Sequence, residues 1–372
     1  MTGDRIIVFV DGFPYSERRN LQVLKSALVW QRPIQPGFGY SVNVKAELFA
    51  GVRPDEVGFL NEWSYAPGQG WPWTRASRGI YSIVSRFRPA KRLVSKVLSR
   101  ITGKDIRNIP LPMLSSFVRT GVNAYEGGFP SRTLLDRVSM RRYLHSELGG
   151  DEAACEALCR DLDRSRREPF KAFLAMAELD HIFHRDGEAS AHFATYVENV
   201  DRQLKELWQL LVGRDNQPGL CLVSDHGMAP VRRVVSCDVE KGVHGAGERY
   251  TYFVDATMAR FWFHNDLVQE EVRGWLTEDD LPGRCIDDEE RKRWGISSAT
   301  FGHLIFLLDE GATFAPNFFS DKPCRAMHGY APELRSQLGL IACSLVMDSE
   351  AVEQPLPAIQ AFKVMEKFAL GE

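Results

Sequence analysis

Residues 219 to 230 read GLCLVSDHGMAP and indicate the fold class of the protein. Its first part is dominated by apolar residues and can form a buried strand. Ser224, Asp225 and His226 follow directly, where that strand would end. Polar residues at the end of a core strand are typical of an open α/β sheet, in which ligands bind beyond the carboxyl ends of the strands.

A second stretch near the N-terminus repeats this pattern. Residues 5 to 10 read RIIVFV and lead into Asp11 and Gly12. Between the two strands, residues 190 to 212 carry apolar side chains at spacings of three and four, as an amphipathic helix does. Strand, helix and strand in this order predict an α/β fold with a mostly parallel central sheet and helices on both faces.

The rest of the chain divides into further elements and one region of different composition. Strands are predicted at 251–257, 259–264, 303–311 and 338–346, and helices at 267–276 and 356–369. From about residue 66 to 169 the chain is richer in Arg, Gly and Pro. We therefore predict a catalytic core over residues 1–65 and 170–372, with residues 66–169 inserted as a cap that recognises the substrate.

Composition limits the classes of protein that fit. With 372 residues and 44% hydrophobic content, the chain can bury one large core or two smaller ones. A net charge of −3 gives no general attraction to nucleic acid, so duplex nucleic acid is not an expected partner. Seven scattered cysteines, an N-terminus unlike a signal peptide and no long apolar run together predict a cytoplasmic protein with unpaired thiols.

Carboxylates and imidazoles recur at the ends of predicted segments. Asp180 and His184 are four residues apart in ELDHIFHRDG, residues 178 to 187, so a helix there would place them on one face. Each such residue alone has an ordinary interpretation, as a turn histidine or a surface pair. Together they form a suitable ligand set for two divalent metals of the zinc or manganese type: Asp11, Asp180, His184, Asp225, His226 and His328.

This combination resembles the alkaline phosphatase superfamily, nearest to its nucleotide pyrophosphatase/phosphodiesterase branch. The motifs are SDHGM at 224–228, the Asp-x-x-x-His of 180–184 and HGYAP at 328–332. The match runs from Asp11 to Pro332, interrupted by the insertion. The resemblance implies two divalent metal ions, with zinc expected first and manganese as the alternative.

The resemblance also implies how the ligands divide. One metal would be held by Asp11, Asp225 and His226 together with the nucleophile. The other would be held by Asp180, His184 and His328.

The nucleophile of the family is a Thr or Ser after the first Asp, and Ser41 is the best match. It lies ten residues before Gly51 in AGVRPD, residues 50 to 55, which corresponds to the TGLYPE-like stretch of the family. Ser16 and Ser26 lack that spacing. Residues 42 to 51 can form a short helix closing at Gly51, which leaves an ordinary N-cap serine as the alternative for Ser41.

Two departures from the family pattern weaken any inference from the family to the substrate. Ser41 replaces the usual Thr, and the aromatic-Pro-Asn that normally follows reads Val42-Asn43-Val44. Asn61 in GFLNEW is the counterpart of an Asn that binds a phosphate oxygen, with a turn residue as the alternative. The sulfatase signature Cys/Ser-x-Pro-x-Arg is absent.

A basic stretch lies inside the predicted cap. Residues 71 to 107 contain ten Lys or Arg residues and one acidic residue, and Trp71 and Trp73 stand at its start. It is interpreted as a membrane-surface helix, as a cap that attracts an anionic substrate, or as a solvated face. The first interpretation predicts peripheral contact with the inner face of a membrane.

The predicted activity is phosphodiester or pyrophosphate hydrolysis through a phosphoseryl intermediate. The expected substrate is an anionic phosphoester, such as a nucleotide-linked or lipid-linked pyrophosphate. A phosphotransferase or metal-dependent mutase using the same site is one alternative. A non-catalytic, metal-stabilised binding module is another.

Overall fold

A computed structural model describes most of the chain and divides it into two compact units. The described residues are 3–68, 108–110, 113, 116–165, 169–214, 217–278, 281–347 and 354–372. The first unit comprises Met1–Val57, Val122–Pro230 and Ala331–Glu372. The second comprises Gly58–Gly121 and Val231–Tyr330.

The first unit is built on a seven-stranded sheet. Across the sheet the strands follow the order Leu356–Pro357, Trp30–Gln35, Gly339–Cys343, Gly219–Val223, Arg5–Val10, Lys171–Met176 and Arg141–Leu144. Only Gly339–Cys343 runs antiparallel to its neighbours, and the other pairs are parallel. The predicted α/β class with a largely parallel central sheet is therefore confirmed.

The strand Arg5–Val10 sets the position of the site. All six of its residues are buried, as expected for an apolar strand covered on both faces. Val10 pairs with Met176, and Phe9 pairs with Val223. The three neighbouring parallel strands therefore end at the same edge of the sheet, and the residues that follow them are close in space.

Helices pack on this sheet. The longest, Ala191–Arg214, buries the apolar positions that the sequence pattern predicted, including Phe193, Leu204 and Leu211. Shorter segments include the 3-10 turns Tyr15–Asn20 and Arg335–Gln337. The α-helices of the unit are Val23–Ser26, Ser41–Ala50, Pro54–Val57, Leu134–Arg137, His145–Leu148, Asp151–Arg164, Glu178–Asp186, Ala191–Arg214 and Ala358–Leu370.

The second unit contains a four-stranded antiparallel sheet in the order Tyr250–Val254, Met258–Phe263, Leu304–Leu308 and Gly283–Cys285. Trp63–Tyr65 pairs with Phe117–Arg119, and Arg233–Val235 pairs with Ala312–Phe314. Among its described residues, the α-helices are Val239–Gly242, Asp266–Glu278 and Asp288–Arg293, with a 3-10 turn at Ala299–Phe301. Two further described strands are short, Ala229–Pro230 in the first unit and Ala326–Met327 in the second.

The two units differ in extent from the core and cap predicted from sequence. Residues 122 to 165, placed in the predicted cap, belong to the first unit, where Arg141–Leu144 is the edge strand of the main sheet. Residues 231 to 330 form most of the second unit. The basic stretch 71–107 lies outside the described residues, so the substrate-recognising cap and the membrane contact stay predictions. Among the described helices, none is long and apolar enough to cross a membrane.

Candidate active site

A tight turn after the strand Arg5–Val10 brings two predicted metal ligands together. Asp11 is buried, and the backbone N–H of Gly12 donates to Oδ1 of Asp225 at 3.1 Å. Gly12 has a φ of 69°, and a Cβ at this position would lie 3.1 Å from Oδ1 of Asp180. Glycine is required here because it adopts the left-handed conformation and leaves room for Asp180.

Three of the predicted ligands form a compact buried group. One ligand atom from each of Asp11, Asp225 and His226 lies within 4.8 Å of the others. Oδ1 of Asp11 and Oδ2 of Asp225 are buried and have no hydrogen-bond partner within the described part of the chain. Buried carboxylate oxygens are normally satisfied, so two such oxygens beside an imidazole nitrogen fit a divalent cation as the missing partner.

The imidazole of His226 is held in one tautomer. Its Nδ1 lies 2.9 Å from the carbonyl oxygen of Gly227, which can only accept a hydrogen bond. Nδ1 therefore carries the proton, and Nε2 directs a lone pair toward the carboxylates at 3.5 to 3.8 Å. A backbone carbonyl on the far nitrogen is the usual way to orient a histidine that binds a metal.

Ser41 meets this group from the neighbouring helix. Its Oγ lies 2.9 Å from Nε2 of His226, although 185 residues separate them in the chain. Ser41 is the first residue of the helix Ser41–Ala50, and the N-cap is Tyr40, so the alternative of an N-cap serine is not what the structure shows. The helix closes at Gly51 in the left-handed conformation, as the sequence predicted.

Lys45 is a member of the site that the sequence interpretation missed. Its Nζ lies 2.5 Å from Oδ2 of Asp11, and both side chains are buried. The ammonium also lies 5.5 Å from the ring centre of Phe9 and 5.8 Å from that of Tyr125. The signal was present in the sequence, since a helix that begins at Ser41 carries the residue four positions later on the same face.

The charges of this group act on one another. Burial raises the pKa of Asp11 well above its usual value, and the negative charge of Asp225 raises it further, against the opposing effect of Lys45. Burial by itself would lower the pKa of Lys45, but Asp11 and the other negative charges nearby raise it well above its usual value. The ammonium therefore stays charged and balances one carboxylate of the pair.

Asp180 and His184 form the start of a second group. They share one face of the helix Glu178–Asp186, with Nε2 of His184 at 3.3 Å from Oδ1 of Asp180. His181 turns away, since its Nδ1 lies 3.0 Å from the carbonyl oxygen of Ala177. The predicted placement of Asp180 and His184 on a common helix face is therefore what the structure shows.

The helix that carries this pair is anchored by a reciprocal contact. Asp151 accepts hydrogen bonds from the backbone N–H of Ala177 and of Glu178, each at 2.9 Å. The Glu178 side chain in turn accepts from the backbone N–H of Asp151 at 3.0 Å. The helices Asp151–Arg164 and Glu178–Asp186 are thus each capped by an acidic residue of the other, which fixes both helix starts.

The remaining two predicted residues lie in the second unit. His328 is buried directly after the short strand Ala326–Met327. Asn61 is also buried, and its amide nitrogen donates to Oδ1 of Asp255 at 2.5 Å. The structure therefore brings Asp11, Ser41, Asp225 and His226 of the first unit together. It places Asn61 in a network that the sequence did not indicate.

The fold and this arrangement of residues define a hydrolase of the alkaline phosphatase superfamily. Residues 115–331, more than half of the chain, match the family Type I phosphodiesterase / nucleotide pyrophosphatase. The chain belongs to this family, which confirms the resemblance found in the sequence and the assignment as a phosphodiesterase or nucleotide pyrophosphatase-like enzyme.

Two solved structures of similar fold come from the same branch. Murine ectonucleotide pyrophosphatase/phosphodiesterase 5, as an inactive variant in complex with AMP, aligns with a TM-score of 0.67 and 15% identity over 99% of this chain and 95% of its own. The human form aligns with a TM-score of 0.65 and 15% identity over 97% and 93%. Among curated protein sequences, none matches this chain.

Proposed function

We propose that this protein cleaves phosphodiesters or pyrophosphates with two divalent metal ions and a phosphoseryl intermediate on Ser41. The observation that carries the proposal is the position of the Ser41 hydroxyl. It lies 2.9 Å from Nε2 of His226, beside the buried carboxylates of Asp11 and Asp225. A hydroxyl at a helix N-terminus next to a cation site is suited to act as a nucleophile, since both features favour its ionised form.

The residues would divide between two cations. Asp11, Asp225 and His226 would hold the first, together with Ser41, and the sequence assigns Asp180, His184 and His328 to the second. Mixed oxygen and nitrogen ligands fit zinc first and manganese as the alternative. When bound, such metals neutralise charge on the phosphoryl group and lower the pKa of a coordinated hydroxyl or water.

The chain's own residues supply the remaining steps. Ser41 Oγ gives up its proton to solvent and forms a bond to phosphorus, while the bond from phosphorus to the leaving oxygen breaks and that oxygen takes up a proton. Water then attacks the phosphoserine, the bond from phosphorus to Oγ breaks, and Oγ regains a proton as the phosphorylated product is released. Asn61 would donate a hydrogen bond to a non-bridging phosphate oxygen, and the N-terminal end of the helix Ser41–Ala50 favours negative charge on Ser41.

The ligand of the murine relative supports a choice among substrates. That relative is in complex with AMP, which favours nucleotide-linked diesters and pyrophosphates as the first candidates. Lipid-linked pyrophosphates come second. The cytoplasmic location and the membrane contact through residues 71–107 stay predictions from the sequence.

A metal-exchange experiment tests the proposal. The protein would be stripped with a chelator, reloaded with zinc or manganese, and assayed on matched aryl monoesters and diesters, nucleotide sugars, dinucleotides and lipid-linked pyrophosphates. We expect turnover to depend on metal and to be faster on the diester than on the monoester by at least about tenfold. A tenfold ratio needs only a modest difference in how tightly the two transition states are bound. Faster monoester turnover, or full activity without metal, would contradict it.

The same assay separates the alternatives. A phosphotransferase would form a new ester when an acceptor alcohol is added, whereas a hydrolase releases the same product with and without the alcohol. A binding module would hold metal and turn over none of the substrates.

A further inference from the structure

Three buried polar side chains in the second unit form a connected network. The Asn61 amide nitrogen donates to Oδ1 of Asp255 at 2.5 Å, and Oδ2 of Asp255 lies 3.2 Å from Nε of Arg260. None of the three is more than 1% exposed. A buried carboxylate, guanidinium and carboxamide in contact are costly to desolvate, so their presence calls for a reason other than packing.

The guanidinium is fixed by its surroundings. Arg260 lies in the strand Met258–Phe263 and pairs in register with Phe253 on the neighbouring strand. Its guanidinium carbon is 4.9 Å from the ring centre of Phe253 and 5.6 Å from that of Trp262. These two aromatic contacts hold the positive charge next to Asp255.

Arg260 keeps Asp255 able to accept a hydrogen bond. Burial raises the pKa of Asp255 to about 7, while the charge of Arg260 and the hydrogen bond from Asn61 act to lower it. Without the guanidinium, the buried carboxyl would be neutral over a wider pH range. A neutral carboxyl would donate as well as accept, and it would no longer impose one orientation on the Asn61 amide.

The other side of the Asn61 carboxamide is held as well. Its Oδ1 accepts a hydrogen bond from the backbone N–H of Trp63 at 2.7 Å. The carboxamide oxygen is therefore bound by the backbone, and one amide N–H is bound by Asp255. This orientation leaves the second amide N–H to bind an acceptor, and the non-bridging oxygens of a phosphate are acceptors.

We propose that Asp255, supported by Arg260, is a positioning residue that fixes the Asn61 carboxamide as a donor to a phosphate oxygen of the substrate. The inference rests on the proposed function, in which Asn61 contacts that oxygen. It adds two residues that the motifs of the sequence did not indicate.

A double-mutant cycle on the full-length, metal-loaded protein tests this inference. The variants are Asn61→Ala, Asp255→Asn and the double variant, and the readouts are kcat and KM for an aryl phosphodiester and the Kd for inorganic phosphate. We expect each single variant to lose about tenfold in kcat/KM, the size expected for one charge-assisted hydrogen bond. The double variant should lose no more than Asn61→Ala, since Asp255 acts through Asn61.

Several outcomes would overturn the inference. Losses that multiply in the double variant would show that Asp255 acts on stability or packing and not through Asn61. Unchanged phosphate binding and turnover in Asn61→Ala would remove Asn61 from the site while leaving the proposed hydrolysis intact. If the wild type turned over no ester, the proposed function would fail, and phosphate affinities that follow the same non-additive pattern would still support the network.

A second variant guards against misfolding. Arg260→Lys keeps the positive charge but changes its geometry, and its effect should likewise disappear in the Asn61→Ala background. Thermal unfolding of every variant would be measured beside the kinetics. An Arg260→Lys effect of equal size with and without Asn61 would contradict the proposal.

Discussion

Ser41 Oγ lies 2.9 Å from Nε2 of His226, and Nδ1 of the same ring is bound to the carbonyl oxygen of Gly227. One imidazole thus links the helix that begins at Ser41 to the loop that follows the strand Gly219–Val223. The link brings two segments that are 185 residues apart in sequence into contact.

Asp225→Asn is expected to lose most of one metal equivalent. Asp225 uses Oδ1 to accept from Gly12, and its Oδ2 is the buried oxygen available to a cation. An amide is a much weaker ligand for a divalent ion than a carboxylate. Metal content after dialysis, measured by elemental analysis, checks this.

Asp201→Asn is the matched control for that measurement. Asp201 is also buried, but it accepts from the backbone N–H of Val23 and pairs with Lys205, away from the site. We expect its metal content to equal that of the wild type. Equal metal content in Asp225→Asn and Asp201→Asn would remove Asp225 from the ligand set.

Lys45→Met is expected to destabilise the metal-free protein strongly. The change leaves Asp11 buried without its cationic partner, a loss of about 3 kcal/mol or more for a broken buried pair. Added zinc should recover more stability in Lys45→Met than in the wild type, since a cation can take over the lost charge. Thermal unfolding with and without zinc measures both effects.

The control for Lys45 is the more exposed pair of Lys205 and Asp201, 2.6 Å apart. Lys205→Met should cost less than about 1 kcal/mol, because solvent screens the pair. A metal-free stability of Lys45→Met equal to that of the wild type would show that the buried ion pair has no role in holding Asp11.

Stability should fall with rising pH because of Glu47. Burial raises the pKa of Glu47 from 4.5 to about 8, and its carboxyl packs so closely against Gly37 that a Cβ there would clash with it. The folded state therefore holds this proton more tightly than the unfolded chain. The stabilisation is fully present below pH 4.5 and is lost as the pH rises through about 8.

Glu47→Gln should remove most of that pH dependence. The shift corresponds to at most roughly 5 kcal/mol, at about 1.4 kcal/mol per pKa unit. Urea unfolding between pH 5 and pH 9 should show a flatter profile for Glu47→Gln than for the wild type. Glu152→Gln, at an exposed position on another helix, should leave the slope unchanged. Parallel profiles for the wild type and Glu47→Gln would refute the assignment.

Asp151→Ala should loosen the helix that carries Asp180 and His184. The variant loses the caps at Ala177 and Glu178 and the hydrogen bond from Tyr196. Losses of about 1 kcal/mol per cap give roughly 2 kcal/mol in total. Metal affinity should fall as well, because the helix start is no longer fixed.

Glu178→Gln separates capping from charge at the same contact. A glutamine can still accept from the backbone N–H of Asp151, so this variant should keep most of the stability. The measurements are urea unfolding and a zinc titration against a competing chelator. An Asp151→Ala variant with wild-type zinc affinity would show that the cap does not control the second ligand group.

The sequence predicted the elements that depend on local pattern. Arg5–Val10 and Gly219–Val223 were recognisable because parallel strands buried on both faces are short apolar runs. The helix Ala191–Arg214 was recognisable from its apolar spacing. The spacing of Ser41 from Gly51 singled out Ser41 as the candidate, and the structure places its Oγ 2.9 Å from Nε2 of His226.

The features that were missed depend on contacts distant in sequence. Asp151 and Glu178 cap each other across 27 residues, and Asn61 meets Asp255 across 194. No local pattern marks either pair. The two units were also not predictable, since each is assembled from separate parts of the chain and composition alone does not show which parts pack together.

The assignment of Ser41 as the nucleophile is tested by comparing Ser41→Ala with Ser41→Thr on an aryl phosphodiester, with metal content measured in both. Threonine keeps a hydroxyl at this position, whereas alanine removes the nucleophile. We predict that Ser41→Ala binds metal but loses turnover by roughly 10³-fold or more, as expected when a nucleophile is removed, while Ser41→Thr retains measurable turnover. Turnover by Ser41→Ala at the wild-type rate would show that Ser41 is not the nucleophile.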